Sequence, residues 1–355
     1  MEQIGRLAVS LSTGAILLAF LGMVRPSTAQ TPVKLGPSTF TFAFWNVENL
    51  FDDKENPNLE EADRPLDQFF ARNPKFLKAK LDNLAKVLLD IKQFAGKGPD
   101  ILCLAEVESK RAVELLRERL HADLKDKRDH YSHLVYLDPA GGRRIATAVL
   151  SRVAVVGKPE LLSSQRRILK LTLQHNKHQL TVVASHWSSR ISDNTGRGRA
   201  AYAEAIHRDY SKMVAADARV RYVVCGDFND NPDDPAVTKN LNATGEVKAV
   251  LDWKKGERPI FYNPFMDLAK KNKATLYFGP TGYVFDQIVV SPGMLEPGGW
   301  EYRNRSASIV ELLCFEHRLS NTKRPNRFGG PDDKRPLEHR GASDHYPVKI
   351  ELKVP

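Results

Sequence analysis

The run Val223-Val224-Cys225-Gly226-Asp227-Phe228-Asn229-Asp230 constrains this chain more than any other. An apolar segment of strand type stops at a glycine, and the polar residues Asp227, Asn229 and Asp230 follow at once. In an extended chain alternate residues share a face, which puts Asp227 and Asn229 together with Phe228 opposite. A carboxylate beside a carboxamide can orient a water or contact a phosphoryl oxygen. The same residues are strong turn formers. Taken alone, the stretch reads equally as a turn and as a site, and the rest of the chain has to decide.

Thr39 to Trp45 alternates like a strand and runs into Asn46. Residues 52–74, acidic and broken by Pro57, Pro65 and Pro74, read as a loop. Leu77, Leu81, Leu84, Leu88 and Ile91 recur at helical spacing, which predicts one amphipathic helix over 76–94. Asp100 to Ala105 is a short buried strand that delivers Glu106, and a helix over 111–120 follows. Further strands are expected over 133–136, 145–150, 153–156, 168–173 and 179–185, the last ending at His186. Gly196-Arg197-Gly198-Arg199 opens a helix over 199–218, and helix N-termini favour anions. Residues 231–282, rich in Pro, Gly and Lys, read as a long irregular loop. Tyr283 to Val290 reads as a strand carrying Asp286, and Ser308 to Cys314 as another. A basic loop over 317–340 contains Arg318, Lys323, Arg324, Arg327, Lys334, Arg335 and Arg340; solvation alone and a nucleic-acid clamp account for it equally well. Ser343-Asp344-His345 then precedes a last strand, 348–352. With no repeat or linker, short strands interspersed with few helices imply sheet packed on sheet with helices outside, an α+β fold.

The first residues have a different character. An apolar run from Leu7 to Val24 leads to Ser27 and Ala29, the small residues a signal peptidase requires. We therefore expect a signal peptide over 1–29, a single domain over 30–355, a periplasmic or secreted location, and no stable membrane insertion once the leader is removed. The formal charge of +10 favours an anionic partner. Each of the three cysteines, Cys103, Cys225 and Cys314, lies in an apolar, strand-like run, so buried free thiols are expected rather than disulfides or a zinc site.

Asn46, Glu106, His186, Asp227, Asn229 and Asp344-His345 all fall at or just beyond a strand end. One edge of a layered sheet structure would gather them. Their oxygens suit a hard divalent cation such as Mg²⁺ or Mn²⁺, with Ca²⁺ also compatible. The histidines can supply acid–base chemistry, and arginines at the Gly-rich turn 140–144 and the helix start could hold phosphate. Together they describe metal-assisted phosphoester hydrolysis.

Seven segments, in order, now resemble the endonuclease/exonuclease/phosphatase superfamily, the group around deoxyribonuclease I and exonuclease III. They are Trp45-Asn46-Val47-Glu48-Asn49-Leu50-Phe51, Leu104-Ala105-Glu106-Val107, Ala148-Val149-Leu150-Ser151-Arg152, Ser185-His186-Trp187, Gly226-Asp227-Phe228-Asn229-Asp230, Phe285-Asp286-Gln287-Ile288-Val289-Val290-Ser291 and Ser343-Asp344-His345-Tyr346-Pro347-Val348. The resemblance implies a four-layer α/β/β/α sandwich of two packed mixed β-sheets flanked by helices. It implies that Glu106, with Asn46 and Asp344, holds the metal. Asp227 then orients or deprotonates the attacking water, Asn229 contacts phosphate and organises the site, and His345 meets the phosphoryl group. Asp286 orients His345, and His186 matches the second histidine of the nuclease-like branches. Arg143 and Arg199 are candidate phosphate ligands, with Arg144 and Arg197 as substitutes. One departure stands out: where the family carries Gly-Ile-Asp-Val-Ala, this chain reads Arg144-Ile145-Ala146-Thr147-Ala148, so the polar role of that Asp is lost. Glu48 and Glu108 read as solvated neighbours rather than ligands. The expected activity is that of a nuclease of low sequence specificity, acting as a monomer on nucleic acid. The rivals are a lipid or inositol-phosphate phosphatase, a sphingomyelinase-like phosphodiesterase, and a non-catalytic binding module.

Overall fold

The computed structural model describes residues 38–355 apart from 140–142, 144, 164–165, 313–314 and 320–321. The leader expected over 1–29, Arg144 and Cys314 lie outside the described residues. Among the described residues no helix is long and apolar enough to cross a membrane.

Two seven-stranded mixed sheets form the centre. Numbered in chain order, the first holds β1 (Ser38–Leu50), β2 (Ile101–Val107), β3 (His133–Tyr136), β4 (Ala146–Ser151), β14 (Glu301–Tyr302), β15 (Ser308–Ile309) and β18 (Val348–Val354). Its order is β14-β18-β1-β2-β4-β3, with β15 also on β18. The second contains β5 (Ala154–Leu161), β6 (Ile168–His175), β7 (His178–His186), β8 (Tyr222–Asp227), β9 (Ala243–Thr244), β10 (Phe261–Tyr262) and β13 (Asp286–Val290), ordered β5-β6-β7-β8-β13-β10-β9. Two small hairpins, β11 (Leu276–Phe278) with β12 (Thr281–Tyr283) and β16 (Glu316–Leu319) with β17 (Thr322–Pro325), stand apart.

The period of two along each strand explains the layering. On β1, Phe42 and Phe44 join the cluster between the sheets, while Ala43, Trp45 and Val47 join the outer one. On β8, Val223 and Cys225 face the first sheet and Val224 packs outward. The helices α1 (Arg64–Arg72), α2 (Pro74–Leu88), α3 (Ile91–Phe94) and α4 (Lys110–Asp123) lie on the first sheet's outer side, with Leu77, Leu81 and Leu84 of α2 and Leu116 and Leu120 of α4 in that cluster. Tyr202, Ile206 and Tyr210 of α5 (Arg197–Ala216) cover the second sheet. This is the four-layer α/β/β/α sandwich. Each fully buried large apolar side chain in it contributes about 1.5–3 kcal/mol. Cys103 and Cys225 are buried free thiols within the central layer, as expected.

The structure corrects several boundaries. The loop expected over 52–74 contains α1, because Pro65 falls in its first turn, where a missing N–H costs nothing. The helix expected over 76–94 is two. Asp90 leaves the helical backbone after α2 and caps α3, its carboxylate accepting from the Gln93 N–H at 2.9 Å. Residues 231–282 are not irregular throughout: they hold β9 to β11, part of β12, and the short helices α6 (Val247–Leu251) and α7 (Phe265–Lys270). Elements this short carry no readable period. The strand expected over 283–290 begins only at Asp286, and of the one expected over 308–314 the described residues 308–312 form strand only at β15.

Candidate active site

Strand register puts the first three groups in a row. Asp227 of β8 is the antiparallel partner of Asp286 on β13 and the parallel partner of His186 on β7. Close approach makes this possible: a Cβ on Gly226 would overlap the Ser185 carbonyl oxygen, so β7 and β8 can meet here only at a glycine. All three side chains are buried.

The first sheet contributes through irregular backbone. Asn46 ends the regular part of β1, and the β1–β2 register shifts between Asn46 and Leu50. Glu48, Asn49 and Glu106 all lie in the left-handed region, at φ 50, 57 and 61. Strain of this kind costs on the order of 1–3 kcal/mol per residue and persists only where surroundings enforce it. The enforcing contacts are present. The Asn46 carboxamide donates to Glu106 Oε1 (3.1 Å) and to Asp227 Oδ2 (3.0 Å), which joins the two sheets. The Asn49 N–H donates to Glu106 Oε2 (3.0 Å), and the Glu48 N–H donates to Asn46 Oδ1 (3.0 Å).

The segment before β18 brings the last groups. Ser343 Oγ donates to the Asn46 carbonyl (2.7 Å), the His345 N–H donates to Ser343 Oγ (3.1 Å), and Trp45 Nε1 donates to the His345 carbonyl (2.9 Å). The His345 imidazole is thereby placed with Nδ1 2.8 Å from Asp286 Oδ2. Its Nε2 faces Asp227 Oδ2 and Asp344 Oδ1, each at 3.9 Å. Burial opposes its charge, but the carboxylates of Asp286, Asp227 and Asp344 overcome that and hold its pKa well above the usual histidine value. This favours the imidazolium, with one N–H on Asp286 and the other directed into the site.

Asp227 is pushed up to about 6, mainly by burial; Asp286 adds to the rise, and His345, the Asn229 N–H (2.9 Å) and Asn46 oppose it. His186 has Nε2 3.6 Å from Asp227 Oδ2 and 4.0 Å from Glu106 Oε1, while its Nδ1 is buried without a partner among the described residues. Burial, then Arg167, His345 and Arg143, hold its pKa well below the ordinary value, so it is neutral.

Asn229 departs from the expectation. It is not on Asp227's face of an extended strand. β8 ends at Asp227, and Asn229 is left-handed (φ 50), with its amide donating to the Trp187 carbonyl (3.1 Å). The stretch is therefore both a turn and part of the site, with the turn built on the Asp227 carboxylate.

The donor set of Asn46, Glu106 and Asp344 fits a hard cation. Asp344 is half-buried and accepts no hydrogen bond among the described residues. Burial first, and then the nearby Glu48 and Glu106 carboxylates, push it up to about 7. That concentration of negative oxygen is what a divalent ion relieves. A different group of ligand-type atoms, Asp227, Asp286 and His345, lies within 4.8 Å of one another. There His345 Nδ1 already meets Asp286, so that trio reads as an acid–base unit.

The expected phosphate ligands divide. Arg143 reaches the site's rim, but its Nε donates to buried Asp63 at 2.7 Å and its Nη2 to Asn49 Oδ1 at 3.2 Å. Arg199 is not placed for phosphate. It is buried, paired through Nε with Asp230 Oδ1 (2.8 Å) and donating from Nη1 to the Asp193 carbonyl (2.8 Å). Neither Glu48 nor Glu108 is solvated. Glu48 is buried and accepts from Arg327 Nε (2.9 Å), the Phe328 N–H (2.7 Å) and the Gly329 N–H (3.0 Å). Glu108 is buried against the Asn56 amide (2.8 Å) and pushed up to about 7 by that burial. Sequence reasoning also missed Lys80. Fully buried on α2, it donates to the Glu48 carbonyl (3.0 Å) and the Ala342 carbonyl (2.8 Å), tying together the two segments that carry the oxygen ligands. Only its polar placement in an apolar helical stripe could have signalled it. Arg167 beside His186 and Arg327 beside Asp344 were missed as site residues too.

A model of the Endonuclease/Exonuclease/phosphatase family matches residues 41–354. The chain belongs to this family of phosphoester hydrolases, whose members use divalent metals. No curated protein matches it in sequence. In fold it is similar to an endonuclease/exonuclease/phosphatase family protein from Bacteroides thetaiotaomicron (14% identity, 90% of this chain and 99% of that one, TM-score 0.53). It is also similar to D. rerio TDP2 solved with a single-strand DNA product (13%, 89% and 99%, TM-score 0.51) and to a family protein from Bacteroides vulgatus (14%, 90% and 100%, TM-score 0.51).

Proposed function

We propose that the protein is a divalent-metal-dependent phosphodiesterase that cleaves nucleic acid with little sequence preference, exported from the cytoplasm and active as a monomer. The observation that carries this reading is the His345 ring, held with Nδ1 2.8 Å from Asp286 Oδ2 and Nε2 3.9 Å from Asp227 Oδ2, inside a rim that includes Arg143, Arg167 and Arg327. Glu106, Asn46 and Asp344 would hold the cation. When bound, the ion supplies Lewis-acid stabilisation of the charge that develops on the phosphoryl oxygens. Asp227 accepts the proton of the attacking water, and its raised pKa makes it a better base than an ordinary aspartate while leaving it ionised at neutral pH. The His345 Nε2–H donates to the phosphoryl group; Asp286 accepts the Nδ1–H and so favours the doubly protonated ring that carries the Nε2 proton. Asn46 holds Glu106 and Asp227 in one frame, and Asn229 anchors the turn behind Asp227.

The overall charge of +10 and the arginine rim favour a polyanion. One observation favours a second reading, hydrolysis of a small phosphorylated lipid or inositol. Much of the basic surface expected from the sequence turns inward: Arg199, Arg324 and Arg340 are buried. A single panel decides between them. Purified protein with Mg²⁺ is given single- and double-stranded DNA, RNA, sphingomyelin, inositol phosphates and a chromogenic bis-aryl phosphodiester, with Asp227→Asn as control. Nucleic acid should turn over fastest, with rates that fall steeply as salt rises. Turnover of lipid or inositol phosphate with DNA and RNA intact replaces the first reading by the second.

A further inference from the structure

The basic segment 317–340 divides its arginines in an unexpected way. Arg340 is buried, its guanidinium donating to the Phe328, Gly329 and Gly330 carbonyls (3.4, 3.4 and 3.2 Å) and to the Asp333 carbonyl (2.5 Å). Arg335 donates to Asp333 and to the Arg327 carbonyl (2.8 Å). From the other side Glu48 accepts the Phe328 and Gly329 N–H groups. Gly329 has φ +78, and a Cβ there would overlap the Asp333 carboxylate. Residues 327–333 are thus fixed from both sides before any ligand arrives.

Arg327 is the exception in this frame. Its Nε donates to Glu48 Oε1, yet its side chain is 59% exposed, and among the described residues neither terminal nitrogen has a hydrogen-bond partner. It borders a cavity of about 510 Å³ whose wall shares Glu48 and Asn49 with the candidate active site. Pro65, Leu66 and Pro331 contribute its apolar lining. A planar guanidinium with two free donors matches a phosphate in bidentate geometry. A cavity of this size, mixed in polarity with an apolar part at Pro65, Leu66 and Pro331, has room for the sugar and base of one nucleotide. Of the acidic groups nearby, Glu48 is held by three donors and Asp333 by Arg335; Asp332 at the rim and Asp344 still attract Arg327, whose two terminal nitrogens stay open for a ligand.

We propose that this cavity is the subsite for the nucleotide next to the scissile phosphate, with the flanking phosphate on Arg327 and the nucleoside against Pro65, Leu66 and Pro331. The assignment rests on the nuclease reading and narrows it: the enzyme should need at least two phosphates for full activity. The test compares a short single-stranded oligonucleotide with bis(4-nitrophenyl) phosphate, which has no second phosphate, in wild type, Arg327→Gln and Leu66→Trp, with Mg²⁺ throughout. Arg327→Gln should lower kcat/KM for the oligonucleotide roughly 10- to 100-fold, chiefly through KM, and should lower that for the aryl diester much less. Leu66→Trp, which fills the slot and leaves the arginine, should raise the oligonucleotide KM severalfold. Equal losses on both substrates in Arg327→Gln would mean that the residue only holds the loop through Glu48, and would overturn the subsite, as would an unchanged oligonucleotide KM in Leu66→Trp. If wild type turns over the aryl diester but no nucleic acid, the nuclease reading itself fails, and this assignment falls with it.

Discussion

The two sheets bring their groups to the site by different means. In the second sheet, His186, Asp227 and Asp286 stand side by side because β7, β8 and β13 are in register, and the backbone as far as Asp227 is ordinary extended chain. In the first sheet the β1–β2 ladder is interrupted by a register shift where the functional groups are placed. Glu48, Asn49 and Glu106 take left-handed backbone, and the site is assembled by tethers: Asn46 to Glu106, the Asn49 N–H to Glu106, and Lys80 beneath two carbonyls. Register is rigid and costs little to maintain, which suits a proton-transfer unit whose distances must be short. Strained, tethered backbone concentrates carboxylates that repel one another, which suits a cation site.

The sharpest way to break this division is chemical. Asp227→Asn and His345→Ala should each lower turnover by roughly 10²–10⁴ while leaving Mn²⁺ affinity, measured by titration calorimetry, nearly unchanged. Glu106→Gln should lose metal affinity first. The pH profile gives the sign. Asp227 has a raised pKa, so it is ionised above about 6 and protonated below it. Wild-type turnover should therefore fall as pH drops through about 6, and Asp227→Asn should lack that limb. Asp286→Asn should act on the same step as His345→Ala, so the double variant should be little worse than His345→Ala alone. Strong metal loss in Asp227→Asn would show that the two halves are not separate.

The difference between the sheets also decides how much could be seen in the sequence. Register follows from apolar runs that end in polar residues, so Asp227, Asp286 and His186 were legible, as was the sandwich built from those runs. Tethers are not local. Nothing near Lys80 points to the carbonyls of Glu48 and Ala342, and Glu48 looks solvated until Arg327, 279 residues later, is placed on it. Arg199 shows the opposite error. A guanidinium at a helix start reads as an anion site, but its partner Asp230 sits in the very stretch taken as the centre of the chain, and the pair is internal.

A smaller effect should follow from changing the register half without touching its chemistry. Gly226→Ala inserts a methyl group against the Ser185 carbonyl and must part β7 from β8 at the row of His186 and Asp227. Overpacking of this kind costs about 1–3 kcal/mol. Urea unfolding should show that loss, and turnover should fall with it because the His186–Asp227 distance is set by the same ladder. A fully stable, fully active Gly226→Ala would mean that register does not set the geometry.

The smallest effect should be that of Asn49→Gly, in the tethered half. Its N–H holds Glu106 Oε2 and its backbone is left-handed, while its side chain only receives Arg143 at 3.2 Å. Glycine enters this backbone region freely, so Asn49→Gly should retain the tether and change stability by no more than about 1 kcal/mol. A β-branched residue cannot adopt it without strain, so Asn49→Val should cost on the order of 1–3 kcal/mol. It should also weaken Mn²⁺ binding, since relaxation of residue 49 withdraws the N–H that orients Glu106. Arg143 serves as the internal control, because both variants lose its contact equally. If the two variants behave alike, the side chain of Asn49 matters and its backbone does not, and strain is not what places the carboxylates of the first sheet.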